Sequence, residues 1–149
     1  MRKLASLVLV AAFGAGLAMA ADAAKEKSLY DRLGGKDAIV AVVDEFVARV
    51  AADKRINGYF TAVASEPTRL AVFKGKLVDQ ICEASGGPCK YEGLDMKRAH
   101  EGLGITGGDF NALVEDLVGA LDKHKVGKKE KDQLLGVLGP MKSDIVEKK

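Results

Sequence analysis

Apolar side chains recur at every third or fourth position along four stretches of this chain, and that period most narrows what it can fold into. Ile39, Val42, Val43, Phe46, Val47 and Val50 form the first stripe, on a segment expected to be helical over about 36–52. Leu70, Phe73, Leu77, Val78 and Ile81 form the second, ending near residue 84. Phe110, Leu113, Val114, Leu117, Val118 and Leu121 form the third. Leu134, Leu135, Val137, Leu138, Met141 and Ile145 form the fourth, on a helix expected over about 128–146 and kinked at Pro140. A 3.6-residue period puts each set on one face, which must be buried against another helix. No alternating stretch of useful length reads as a strand, and there is no internal repeat. The fold class is all-α.

Local punctuation divides the remainder. Ser28 is suited to cap a short helix over 29–33, which Gly34 and Gly35 end. Residues 53–60 read as a short helical corner carrying Tyr59 and Phe60. Ser65 is expected to cap the second long helix, with Pro67 in its first turn. Residues 86–93 are expected to be loop. Asp95 can cap a short helix through Met96, Ala99 and His100, stopped by Gly102 and Gly104, and Thr106 can cap the helix after it. The domain is expected over 29–146, preceded by a disordered connector at 21–28 and followed by a tail at 147–149.

The first twenty residues are expected to be a signal peptide. Arg2 and Lys3 start it, an Ala-rich apolar run follows from Leu4 to Leu17, and Ala18-Met19-Ala20 is a small-x-small cleavage signature. Ala21-Asp22-Ala23 offers a second cleavage point. The apolar run is short for a span of roughly 20 residues, which favours cleavage over anchoring, and nothing later is long and apolar enough to span a bilayer. The expected location is periplasmic or secreted, with no membrane association after cleavage.

The chain's 149 residues carry 23 Lys and Arg against 21 Asp and Glu. The leader holds two of the basic residues and no acid, so the mature chain balances at zero. It has no net positive field to draw it to nucleic acid or anionic lipid. The lysines from Lys123 to Lys131 are interrupted by Glu130 and read as a solvated helix end. Cys82 and Cys89 are the only cysteines, and in an exported chain an even count suggests a disulfide. Gly86-Gly87-Pro88 between them could turn the chain enough to close it; two free thiols are the alternative.

The sequence lacks CxxCH, a phosphate-binding loop, HExxH and a Gly-x-Ser-x-Gly elbow. With only His100 and His124, a histidine-rich metal site is excluded. On spacing alone, a lone histidine is more often structural than a ligand.

Three stretches change that balance. Leu29-Tyr30-Asp31-Arg32-Leu33-Gly34-Gly35 resembles the start of bacterial truncated haemoglobins. Gly86-Gly87-Pro88 followed by Tyr91 and Gly93 resembles their glycine-rich loop. Met96-Lys97-Arg98-Ala99-His100, then Gly102, Gly104, Ile105 and Thr106, resembles the proximal histidine segment of their first group. The order and spacing of the three are specific together, and the resemblance covers residues 29–146. It implies a two-over-two helical sandwich around a non-covalent b-type haem, with His100 as proximal iron ligand. Iron that keeps one position open for a gas needs one neutral nitrogen on the other side. A flat apolar disc needs apolar helix faces around it. Phe46, Val47, Phe60, Phe73, Leu77, Ile81, Met96, Ile105 and Phe110 are the candidates, with Leu113 and Leu138 equally readable as plain core. Lys76 and Lys97 could pair with the haem propionates.

The resemblance weakens on the distal side. Many members carry a tyrosine after the aromatic of the second helix and polar residues at two distal-helix positions. Here those positions hold Val47, Phe73 and Leu77. Gln80 is the nearest polar substitute. Lys76 falls where some members carry a residue that binds the iron, which a lysine does only as the neutral amine. The implied function is binding of diatomic gases, namely oxygen, nitric oxide and carbon monoxide. Alternatives are nitric oxide dioxygenation with an unidentified reductase or electron donor, a peroxidase-like reaction, a six-coordinate redox globin, and a helical interaction module without cofactor.

Overall fold

The computed structural model describes residues 25–148; the leader, residues 21–24 of the connector and Lys149 lie outside them. Eight α-helices follow in order among the described residues: α1 Leu29–Leu33, α2 Gly35–Ala52, α3 Thr61–Ala64, α4 Pro67–Ala84, α5 Met96–His100, α6 Gly107–Lys123, α7 Lys128–Leu138 and α8 Lys142–Ile145. Two 3-10 turns, Asn57–Phe60 and Gly139–Met141, join α2 to α3 and α7 to α8. None of these helices is long and apolar enough to cross a membrane.

The helix starts show why these residues fold this way. Ser28 and Asp31 cap α1 reciprocally, each accepting from the other's backbone N–H. Thr106 and Asp109 do the same for α6. α4 departs from expectation. Its cap is Glu66, whose two carboxylate oxygens accept from the Thr68 and Arg69 N–H groups at 3.0 Å. Ser65 instead closes α3 and donates its hydroxyl to the Ala62 carbonyl. The single kinked C-terminal helix is also corrected. Pro140 cannot donate to the ladder, so the helix narrows to a 3-10 turn there and resumes as α8.

α2 packs against both α4 and α6, α4 also meets α7, and α6 meets α8. The result is one helix pair laid over another, the two-over-two sandwich. The main core is formed by Ile39, Val42, Val43, Phe46 and Val50 of α2, Val78, Ile81 and Cys82 of α4, Leu117 and Leu121 of α6, and Leu134 of α7. A second, smaller cluster is separate: Ile105, Phe110 and Ile145, with Met96, Val114, Met141 and Val146 packed on it. Cys82 and Cys89 form a disulfide with Cα atoms 5.7 Å apart, fastening the end of α4 to the loop before α5. A loop this short contributes about 2–3 kcal/mol, similar to one buried core side chain.

Candidate functional site around His100

Asp95 starts α5 by accepting from the Arg98 N–H at 3.0 Å, and the helix makes barely more than one turn before it ends at His100. Nδ1 of His100 lies 2.7 Å from the Met96 carbonyl oxygen, one turn back. A carbonyl oxygen only accepts, so Nδ1 carries a proton, and in the neutral ring Nε2 is then the nitrogen with the free lone pair. The backbone thus fixes both the tautomer and the ring orientation, as a ligating imidazole requires. The ring is half-buried. His124 closes α6 and is exposed. Among the described residues no cluster of three or more His, Cys, Asp or Glu side chains is placed to hold a metal ion. A metal at His100 would therefore have to bring most of its ligands with it.

The apolar candidates form two walls. On the first, the Phe60 and Phe73 rings lie 5.8 Å apart at an interplanar angle of 58°. With Phe46, Val47 and Leu70 they line an apolar cleft between α2, the 57–64 corner and α4. Leu77 and Ile81 continue the Phe73 face of α4 and join the main core, the first half-buried and the second buried. On the second wall are Ile105, Phe110 and Met96, whose carbonyl orients His100. Gln80 joins the two walls: its amide donates to the Met96 sulfur at 3.2 Å and reaches the Met141 sulfur at 3.5 Å. Leu113 and Leu138 are half-buried against the main core.

Residues 28–147 match the bacterial-like globin family. The chain belongs to the group 1 truncated globins. It is 37% identical over 122 residues to the group 1 truncated hemoglobin GlbN of Mycolicibacterium paratuberculosis, covering 82% of this chain and 86% of that one. The crystal structure of the Fe(III) truncated hemoglobin from Tetrahymena pyriformis superposes with a TM-score of 0.73 at 27% identity, over 80% of this chain and 98% of that one. The 2/2 hemoglobin of a Synechococcus species, solved in the cyanomet state with a covalently attached heme, superposes with a TM-score of 0.72 at 31% identity, again over 80% and 98%.

In this truncated globin Val47, Phe73 and Leu77 are half-buried apolar side chains, and Gln80 turns its amide to the two methionine sulfurs instead of toward them. Lys76 and Lys97 are exposed. Lys74, two residues before Lys76, pairs with Asp44 at 2.9 Å.

Two contacts around the site have no local signature in the sequence. Tyr59 donates its hydroxyl to Asp109 at 3.0 Å, tying the corner that carries Phe60 to the start of α6. Asp109 also accepts from the Thr106 N–H at 2.9 Å and hydroxyl at 2.7 Å. The Thr106 amide and hydroxyl, with Tyr59, hold the Asp109 carboxyl below the usual carboxylate range, and Asp109 in turn raises the Tyr59 phenol. The second is made by Glu147. Its carboxylate accepts from the Gly102 N–H at 2.7 Å and the Gly104 N–H at 2.5 Å, and those two amides hold its carboxyl low. Glu147 and Lys148 are thus docked on the segment that follows His100.

Proposed function

We propose that this globin is an exported haem protein that holds a b-type, non-covalently bound haem through Nε2 of His100 and binds oxygen, nitric oxide or carbon monoxide. The observation that carries the reading is the 2.7 Å contact between His100 Nδ1 and the Met96 carbonyl, which orients the ring and, in its neutral form, leaves Nε2 as the nitrogen able to ligate a metal. The residues present fit a flat apolar group that supplies its own equatorial ligands. Iron porphyrin, when bound, supplies one open coordination position for a gas. Phe60, Phe73 and Leu77 would cover one face of it, and Met96, Ile105 and Phe110 would flank the His100 side. Lys76 and Lys97, both exposed, would meet its carboxylates at the solvent edge rather than the iron. Val47, Phe73 and Leu77 offer no hydroxyl or amide to a gas and no group to move a proton. That favours binding over turnover, and carbon monoxide and nitric oxide over oxygen. The leader and the Cys82–Cys89 pair support an oxidising, periplasmic or secreted location.

The test is the electronic spectrum of the purified, haem-loaded protein. The wild type should show a Soret band, and organic extraction at acid pH should remove the haem; a denatured protein mass that includes haem would replace the non-covalent reading with a covalent one. His100→Ala should lose haem or hold it only when imidazole is added, whereas His124→Ala should behave as wild type. Lys76→Ala should keep the ferric spin state and its pH dependence. A switch from low to high spin in that variant would make Lys76 an axial ligand. An unchanged spectrum in His100→Ala would end the proposal.

A further inference from the structure

We propose that Glu147 is a positioning residue for His100: its carboxylate clamps the two-glycine turn behind α5 and so sets where the imidazole stands. The inference rests on the haem-binding reading above. His100 ends a helix of one turn that has no buried residue, and a helix so short has little stability of its own. Immediately after it the backbone passes through Gly102 at φ 82° and Gly104 at φ 69°. Glycine adopts such angles freely but also leaves them freely, so this turn is stiff only where something outside it holds it.

Glu147 is what holds it. One carboxylate oxygen accepts from Gly102 and the other from Gly104. Hydrogen bonds to an ionised acceptor are the stronger kind. The Leu103 N–H between them donates to the carbonyl of His100 itself, at 3.2 Å. The backbone completes the strap. The Glu147 and Lys148 N–H groups both donate to the Ile105 carbonyl, at 2.9 and 3.1 Å, and Lys148 forms a parallel bridge with Thr106.

The same C-terminal segment also supports the start of the histidine's helix. Ile145 lies in the second apolar cluster with Ile105 and Phe110, and Val146 and Met96 pack on it. Met96 supplies the carbonyl that orients the ring. The imidazole is therefore held at both ends of its short helix by the last residues of the chain: through packing at Met96 and through a carboxylate at Gly102 and Gly104.

Glu147→Ala removes the carboxylate and leaves the backbone bridge, and Glu147→Gln keeps a neutral acceptor. In the haem-loaded ferrous protein, the iron–histidine stretching band in resonance Raman should shift and broaden in the alanine variant and return part-way in the glutamine variant. Haem release to a scavenging apoprotein should accelerate at least roughly tenfold in Glu147→Ala, the scale of even one of the two charge-assisted hydrogen bonds lost. Amide exchange at Gly102 and Gly104 should rise by a similar factor, while amides of α2 and α6 hold. A lower melting temperature with an unchanged Raman band and unchanged haem release would reduce Glu147 to a general stabiliser and overturn the proposal. If wild-type protein fails to take up haem, the functional reading fails by itself. The clamp is then judged on glycine exchange alone, and equal rates in wild type and Glu147→Ala would overturn it.

Discussion

At the residue scale, what a side chain touches decides its effect more than its type does, and the glycines show this most sharply. A Cβ on Gly87 would stand 2.5 Å from Cδ2 of Tyr30, 2.7 Å from Sγ of Cys82 and 2.8 Å from the Cys82 carbonyl oxygen. The sulfur is held in a disulfide and the carbonyl belongs to the last turn of α4, so neither can move aside readily. Gly87→Ala should therefore destabilise the protein by about 1–3 kcal/mol. Gly136 sits inside α7, exposed, and a methyl group added there would meet nothing within 4 Å. Gly136→Ala should stabilise by roughly 0.5–1 kcal/mol through helix propensity alone. Urea unfolding of the two variants checks both signs, and a Gly87→Ala protein as stable as wild type would contradict the crowding seen at the turn.

At the element scale, the caps do more than start helices. Asp109 belongs to α6, yet it also receives the Tyr59 hydroxyl from the corner before α3. The carboxyl is depressed in the folded protein by the Thr106 amide and hydroxyl and by Tyr59. An unfolded aspartate titrates at about 3.9. The stability Asp109 supplies is thus complete above that value and is lost as pH falls through the lower folded value. Asp109→Asn should be less stable than wild type at pH 6, and the two unfolding midpoints should converge as the pH is taken well below 4. A gap that stays constant down to pH 2 would show that the carboxylate charge is not what matters there. Tyr59→Phe should weaken the same dependence, because it removes one of the donors.

At the scale of the whole molecule, the two apolar clusters divide the labour. The main core ties α2, α4, α6 and α7 together without any residue of α5. The second cluster, with Met96, Ile105, Phe110 and Ile145, takes in the start of α5, which packs chiefly on α8. Removing the haem should therefore loosen the molecule unevenly. Amide exchange in the haem-free protein should rise through residues 94–106 and 141–148, while the cores of α2 and α6 stay protected. Uniform loss of protection across all helices would mean that the main core depends on the haem as well.

Much of this organisation is written locally. The four apolar stripes, the Ser28 and Thr106 caps, the Asp95 start of α5 and its end near Gly102 are patterns within a few residues, where the 3.6 period and backbone hydrogen bonding act directly. His100 is legible through the resemblance of residues 96–106 rather than through spacing, and the carbonyl that orients its ring lies four residues back on the same helix. Near-neighbour competition is less legible: Ser65 and Glu66 can both cap, and the longer glutamate reaches two amides at once. Pairings between residues far apart are not legible at all. Glu147 meets Gly102 across 45 positions, Gln80 meets Met141 across 61, and Tyr59 meets Asp109 across 50. The sequence by itself determined an all-helical chain with four apolar faces and a short helix carrying His100, because those properties follow from spacing along the backbone. Which side chains hold that histidine in place was decided only by the tertiary structure, because a hydrogen bond between distant residues exists only once packing has brought them within about 3 Å.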